Sequence, residues 1–91
     1  MEPEITATLT RLDEHRIRVI GTAPADSSVH GNGWECIVAD DGTFAFNCMA
    51  YTNGIVGVLV LRREELWTSE GDVSTLKVGE TREMQSFRPR R

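Results

Sequence analysis

The sequence has few cysteines, few aromatic residues and no long apolar run. Its 91 residues include 2 cysteines, and aromatic residues make up 7% of the chain. Two cysteines are too few for a disulfide scaffold, and no histidines lie near enough to complete a tetrahedral metal site. The longest apolar run, residues 55–61, is interrupted by Gly57 and is far shorter than the roughly 20 residues that cross a bilayer. We therefore expect a chain outside the membrane, without a metal or cofactor.

The amino terminus, MEPEITATLT, has neither the basic nor the apolar region of a secretory signal. The expected compartment is therefore the cytoplasm, where thiols stay reduced. We accordingly interpret Cys36 and Cys48 as free, inward-facing thiols rather than as a disulfide or metal ligands, because free cysteine is among the most buried residue types.

Basic residues are outnumbered, 10 lysines and arginines against 14 carboxylates, for a formal charge of -4. The surplus of acid is uneven, because residues 84–91 contain three arginines and no acid. An acidic body repels phosphate at long range, so direct binding of nucleic acid is not expected.

The remaining composition, 40% hydrophobic and 26% charged, is typical of one packed domain spanning residues 1–91. Apolar residues recur with a period of two at Ile5, Ala7 and Leu9 and again at Ile17 and Val19, which is the pattern of strands with one buried face. We predict an all-β fold, a small antiparallel sandwich or barrel of about six to eight strands built from sequential hairpins, with at most one short helix.

Three turns set the predicted pairings. The first hairpin places Leu9 opposite Val19. The second turns at Asp40, Asp41 and Gly42 with Ala39 opposite Thr43, and a third turns at Asn53-Gly54 as a type I′ hairpin, sending the chain back as a central strand over 55–61. The second register brings the following residues onto one face: Trp34, Cys36, Val38, Phe44, Phe46 and Cys48.

Several segments carry no clear strand pattern. Thr22–Gly33 is rich in Pro, Ser, Asp, Asn and Gly and is predicted to be one long surface loop. Arg62–Thr68 fits one helical turn or a strand, and the adjacent Glu64 and Glu65 favour the helical turn slightly. We predict a turn over 69–72, a last hairpin around Gly79-Glu80, and a mobile basic tail over 88–91.

The long loop holds the residue types of a hydrolytic triad in Asp26, Ser27, Ser28 and His30. A triad needs a base that a third group orients, and residues two apart in a flexible loop rarely hold that geometry. We therefore interpret this stretch as a solvated turn. The aromatic residues of the second hairpin are interpreted as core rather than as a stacking platform for nucleic acid, because their neighbours are acidic.

Trp67 follows two glutamates and precedes two further acids, so a large ring is expected in a partly exposed acidic strip. Tryptophan beside charge is a common binding hot spot, although the ring also fits the end of a small barrel. The predicted partner-binding residues are Glu64, Glu65, Trp67, Glu70, Asp72 and His30.

These observations favour a noncatalytic acidic binding protein that acts as an inhibitor or adaptor. Its expected partner is a protein with a basic surface, as when a phage or mobile-element protein blocks a host nucleic-acid-binding protein. Two alternatives stay open: a small β-barrel module for a small ligand or single-stranded nucleic acid, and a structural subunit that completes its edge strands in a homo-oligomer.

Overall fold

The structure, a computed structural model, describes residues 4–90 and folds them into nine strands without a helix. The strands are β1 (Thr6–Arg11), β2 (Arg16–Thr22), β3 (Ser28–Gly31), β4 (Trp34–Ile37), β5 (Thr43–Met49), β6 (Ile55–Arg62), β7 (Glu65–Asp72), β8 (Thr81–Glu83) and β9 (Arg88–Arg90). The predicted small all-β fold is confirmed, with nine strands where about six to eight were expected, and the sandwich is the form that the structure supports.

The strands form two antiparallel sheets. One sheet has four strands in the order β5-β2-β1-β8, and the other has five in the order β4-β3-β6-β7-β9. Their facing sides enclose one apolar core. Its most deeply buried apolar side chains are Leu9, Ile17, Val19, Val29, Val56, Val58, Val60 and Val73.

The first hairpin has the predicted register, with Leu9 opposite Val19. Asp13 holds the turn between the strands: its Oδ1 accepts the backbone N–H groups of His15 and Arg16, and its Oδ2 accepts Nε of Arg16 at 2.7 Å. The side-chain bond from Arg16, followed by the two backbone bonds, lowers the pKa of Asp13 to about 2. The turn is therefore held by a charged carboxylate at neutral pH.

The prediction of one long loop over Thr22–Gly33 is wrong, because this segment contains strand β3. This strand lies between β4 and β6, with Val29 fully buried on its inner face. The next inner position is Gly31, where an added Cβ would lie 2.6 Å from Cζ of Phe46. Because a glycine fills that position, the apolar alternation of the strand is invisible in the sequence.

The turn between β3 and β4 uses the Asn-Gly dipeptide that the prediction overlooked. Asn32 and Gly33 both have positive φ, at 45° and 90°, as the two central residues of a type I′ turn require. At Asn53-Gly54, by contrast, only the glycine has positive φ. The type I′ prediction there is wrong, and that turn carries the chain from one sheet to the other.

The Asp40-Asp41-Gly42 turn forms as predicted, but the strands beside it do not pair. Ala39 N–H donates to Thr43 O, and Gly42 has the predicted positive φ, as does Gly54. Beyond the turn, β4 joins β3 in one sheet and β5 joins β2 in the other. The predicted second hairpin is therefore wrong beyond the turn, because β3 satisfies the edge of β4 that β5 was expected to occupy.

The predicted helical turn near Arg62–Thr68 is also wrong, as is the turn over 69–72, because β7 runs through both. Arg62 pairs with Glu65 around a two-residue turn, and β7 then pairs with β6 along its whole length. Pairing with a central apolar strand outweighs the weak strand preference of adjacent glutamates.

Arg63 in this turn has a φ of 56°. A side chain in the left-handed region is strained by roughly 1 kcal/mol, so Arg63→Gly is expected to raise the free energy of unfolding by about 0.5–1 kcal/mol. Arg62→Gly, one residue earlier in β6, is the control and is expected to lower it by a similar amount, since glycine weakens a strand. Urea titrations measure both changes, and equal effects of the two substitutions would contradict the strained turn.

The carboxyl-terminal part differs from prediction as well. No hairpin forms around Gly79-Glu80: β8 pairs with β1, and residues 73–80 form a loop that buries Val73 and Leu76. Within the tail predicted over 88–91, Arg88–Arg90 form β9, which pairs with β7 at the edge of the five-stranded sheet. An edge strand tolerates Pro89 because its outward side needs no N–H donor. Arg91 lies outside the described residues.

Candidate functional site

An open groove of about 490 Å³ lies on the outer face of the five-stranded sheet. Its lining comes from β3, β4, β6 and β7 and from the segment after β5. Cross-strand pairing places Glu35, His30, Leu59 and Thr68 side by side across the sheet, with Arg88 at the end of the row and outside the groove.

Asn32 connects the elements that form one end of the groove. Its Oδ1 accepts the backbone N–H of Gly57 at 3.1 Å, and its Nδ2 donates to the carbonyls of Met49 at 2.8 Å and Ile55 at 3.1 Å. These bonds join the β3–β4 turn to the end of β5 and the start of β6. They hold the backbone near Trp34 and Tyr51, which both line the groove.

Two aromatic rings are exposed at this end. Trp34 is 58% exposed and Tyr51 is 57% exposed, unusually high values for rings that usually bury most of their surface. Gly57 lies on the outer face of β6, where an added Cβ would meet only Asn32 Oδ1, at 4.0 Å. The missing side chain leaves the groove floor open between the rings and β7.

The charged groups of the groove are acidic. Its lining includes the carboxylates of Glu35 and Glu70 and no lysine or arginine among residues 4–90. His30 lies between Glu35 and Ser28. Its Nδ1 is 3.2 Å from Oε2 of Glu35, and its Nε2 is 3.2 Å from Oγ of Ser28. The groove therefore offers negative charge beside exposed aromatic faces.

The contacts run from Ser28 to His30 to Glu35, the same sequence of residue types as in a hydrolytic triad. The three residues meet because Ser28 and His30 lie two apart on strand β3 and Glu35 lies opposite His30 on β4. Of the other two residues in that hypothesis, Ser27 is fully buried and Asp26 is exposed in a turn. A hydrolase also needs amide donors aimed at a developing oxyanion. Ser28 lies in a strand paired on both sides, which commits the nearby backbone amides to the sheet. The trio more simply fixes the ring of His30 in the groove.

Both cysteines are free, and burial raises their pKa values. The pKa of Cys48 rises to about 11, and that of Cys36 is raised by burial and then by the charge of Glu35. Both thiols are therefore protonated at neutral pH and weak as nucleophiles or ligands. Phe44 is buried and Phe46 half-buried, as expected for core residues. The same interpretation is wrong for Trp34 and Tyr51, which are 58% and 57% exposed.

The predicted acidic strip does not form one surface around Trp67. That ring is only 6% exposed and points into the core, so it is not available as an exposed anchor. Glu64 and Glu65 lie at the β6–β7 turn, and Asp72 ends β7 about 23 Å from Glu65. Asp72 Oδ1 also accepts the N–H of Ser74, and hydrogen bonds from Ser74 lower its pKa.

Of the six predicted partner-binding residues, His30 and Glu70 line the groove. Three further groove residues were not predicted to bind a partner: Trp34, Glu35 and Tyr51. For Trp34 and Glu35 the sequence signal is the Asn-Gly dipeptide at 32–33, because a hairpin there places Glu35 directly opposite His30 and Trp34 opposite Gly31. No such signal marks Tyr51.

Fold and site together define a class: a small all-β sandwich with an acidic, aromatic-lined groove. No family model, curated protein or solved structure matches the chain. The described residues hold no helix that could cross a membrane, and residues 4–90 hold no cluster of three or more potential metal ligands.

Proposed function

We propose that the protein is a noncatalytic binding module that takes a lysine- or arginine-bearing segment of another protein into the groove, and so acts as an inhibitor or adaptor. The observation that carries the proposal is the meeting of two exposed rings, Trp34 and Tyr51, with two carboxylates, Glu35 and Glu70, in a groove lined by no lysine or arginine among the described residues.

The chemistry of the groove fits a cationic side chain with a long apolar stem. The face of an aromatic ring attracts a cation, typically by about 0.5–2 kcal/mol, and the stem covers apolar surface. A carboxylate accepts charge-assisted hydrogen bonds from the ammonium or guanidinium head. Phosphate has the opposite charge, which makes a nucleic-acid strand the poorer occupant.

The wider charge of the chain supports the same partner. The formal charge of -4 and the exposed Glu64 and Glu65 attract a basic protein before contact. In this proposal the two glutamates steer association, whereas Trp34 replaces Trp67 as the apolar anchor.

The test uses a lysine- and arginine-rich peptide of about ten residues and an acidic peptide of equal length as its counterpart. Because the chain has 2 tryptophans and Trp67 is buried, iodide quenching reports mainly on Trp34. The basic peptide is expected to protect Trp34 from iodide, with an affinity that falls as salt rises. The acidic peptide and single-stranded oligothymidylate are expected to give no protection.

Two substitutions locate the binding. Gly57→Leu fills the groove floor, where the structure leaves room, and Glu70→Lys reverses one of its charges. Each is expected to weaken peptide binding by about tenfold or more, equivalent to about 1.4 kcal/mol. Glu83→Lys makes the same charge change on exposed β8 in the other sheet and is expected to leave affinity nearly unchanged. Equal losses for Glu70→Lys and Glu83→Lys, or binding that survives Gly57→Leu, would refute the groove as the site.

A further inference from the structure

The two sheets have four edge strands among the described residues, and β5 differs from the other three. β8 and β9 have three residues each, with charges in β8 and a proline in β9, and β4 has four residues including Glu35. β5 is seven residues long, TFAFNCM, with no charge and no proline. Short length, charge and proline are the usual protections against edge pairing, and β5 has none of them.

Part of the outer edge of β5, residues 45–47, has backbone N–H and C=O groups without partners among residues 4–90; we call this part the open window. Thr43 O accepts the N–H of Ala39, and Met49 O accepts Nδ2 of Asn32, so the odd-numbered residues direct their backbone groups away from β2. The even-numbered residues between them bond to β2. Ala45 and Asn47 are therefore left with outward N–H and C=O groups that have no partner among residues 4–90.

This window is complementary to itself. If two copies meet antiparallel with Phe46 on the two-fold axis, Ala45 of one copy lies opposite Asn47 of the other, twice. Each such pair exchanges two backbone hydrogen bonds, so the four open groups of each copy are all satisfied. We propose that β5 pairs with β5 of a second copy, which joins the two four-stranded sheets into one sheet of eight strands.

The side chains around the window favour a second copy over a charged peptide. An apolar groove beside β5 is lined by Trp34, Phe46, Cys48 and Met49, with Asn47 and Arg16 at its border. Arg16 is already paired with Asp13, and β5 itself carries no charge, so pairing two copies of β5 brings no like charges of the edge strand together. Pairing would cover Phe46, which is only half-buried in the single chain. The interface is small, so we expect a weak, concentration-dependent dimer.

The first test uses the wild-type chain. From about 1 µM to about 1 mM, sedimentation equilibrium is expected to show a rise from 10.2 kDa toward twice that mass. Over the same range the amides of Ala45 and Asn47 are expected to exchange about tenfold more slowly with solvent. The amide of Phe46, which faces β2, is expected to be protected at both concentrations. A mass that stays at 10.2 kDa, or doubling without protection of Ala45 and Asn47, would overturn the proposal.

The second test uses matched lysines. Asn47→Lys puts a charge on the paired edge, and we expect it to keep the chain monomeric up to about 1 mM. Thr81→Lys makes the same change on β8, the other edge of this sheet, and is expected to dimerise like wild type. Dimerisation of Asn47→Lys, or loss of dimer in Thr81→Lys, would rule out the β5 interface. Neither residue lines the groove of the proposed function, so these two variants test the dimer separately from peptide binding. Because Trp34 borders both surfaces, peptide binding is measured at about 1 µM, where the chain is expected to be monomeric.

Discussion

Replacing Trp67 by alanine is expected to lower the free energy of unfolding by about 3–5 kcal/mol, the usual range for a large aromatic side chain removed from a core. The ring is only 6% exposed on the inner face of β7, between strands β6 and β9. A domain of this size has about 5–15 kcal/mol of stability in total, so much of the native state is expected to be lost near physiological temperature.

The second tryptophan supplies the control. Trp34 is 58% exposed, and Trp34→Ala is expected to change the free energy of unfolding by about 0.5 kcal/mol or less. Its effect on peptide binding is expected to be large, because the exposed ring belongs to the groove. Urea denaturation of both variants, followed by circular dichroism, tests this division. A stable Trp67→Ala variant would contradict the buried position of that ring.

Replacing Arg11 by methionine is expected to cost about 3 kcal/mol, because the guanidinium holds the loop over residues 73–80 against β1. Its Nε donates to Leu76 O at 2.5 Å and its Nη2 to Val73 O at 2.7 Å, while Nη1 donates to Glu14 O at 2.9 Å and Asp13 O at 3.3 Å. Hydrogen bonds to charged groups are worth about 1.5–3 kcal/mol each, and methionine keeps only the apolar stem.

A conservative variant at Arg11 separates the effect of its charge from that of its geometry, and a variant at Arg62 is the control. Arg11→Lys keeps the charge, but a single ammonium cannot reproduce the planar fork that reaches several carbonyls, so it is expected to restore only part of the stability. Arg62→Met removes an exposed arginine from β6 and is expected to cost about 0.5 kcal/mol or less. Equal denaturation midpoints for Arg11→Met and Arg62→Met would show that the loop does not depend on Arg11.

Local patterns predict those parts of the fold in which neighbours in sequence are also neighbours in space. The β1–β2 register follows from the alternation ending at Leu9 and resuming at Ile17 together with the short turn over residues 13–15. A one-residue slip would turn the apolar side chains of one strand outward, and the turn length selects among the remaining registers. The positive φ of Gly42 and Gly54 follows from local turn geometry in the same way. The buried thiol of Cys48 follows from residue type.

Tertiary structure decided which sheet each strand joins after a turn. It thereby also decided which residues line the groove. The strands on either side of Gly42 belong to different sheets, and so do the strands on either side of Gly54. Strand β3 pairs with both β4 and β6, at the edges that the local pattern assigns to β5. Strand β3 itself forms because Gly31 gives Phe46 room and Val29 completes the core, contacts between residues distant in sequence. By itself the sequence determined an acidic all-β domain and its first hairpin. The pairing of distant strands turned Trp67 inward and left Trp34 exposed beside Glu35 and Glu70, because burial depends on which sheet face a strand presents to the core.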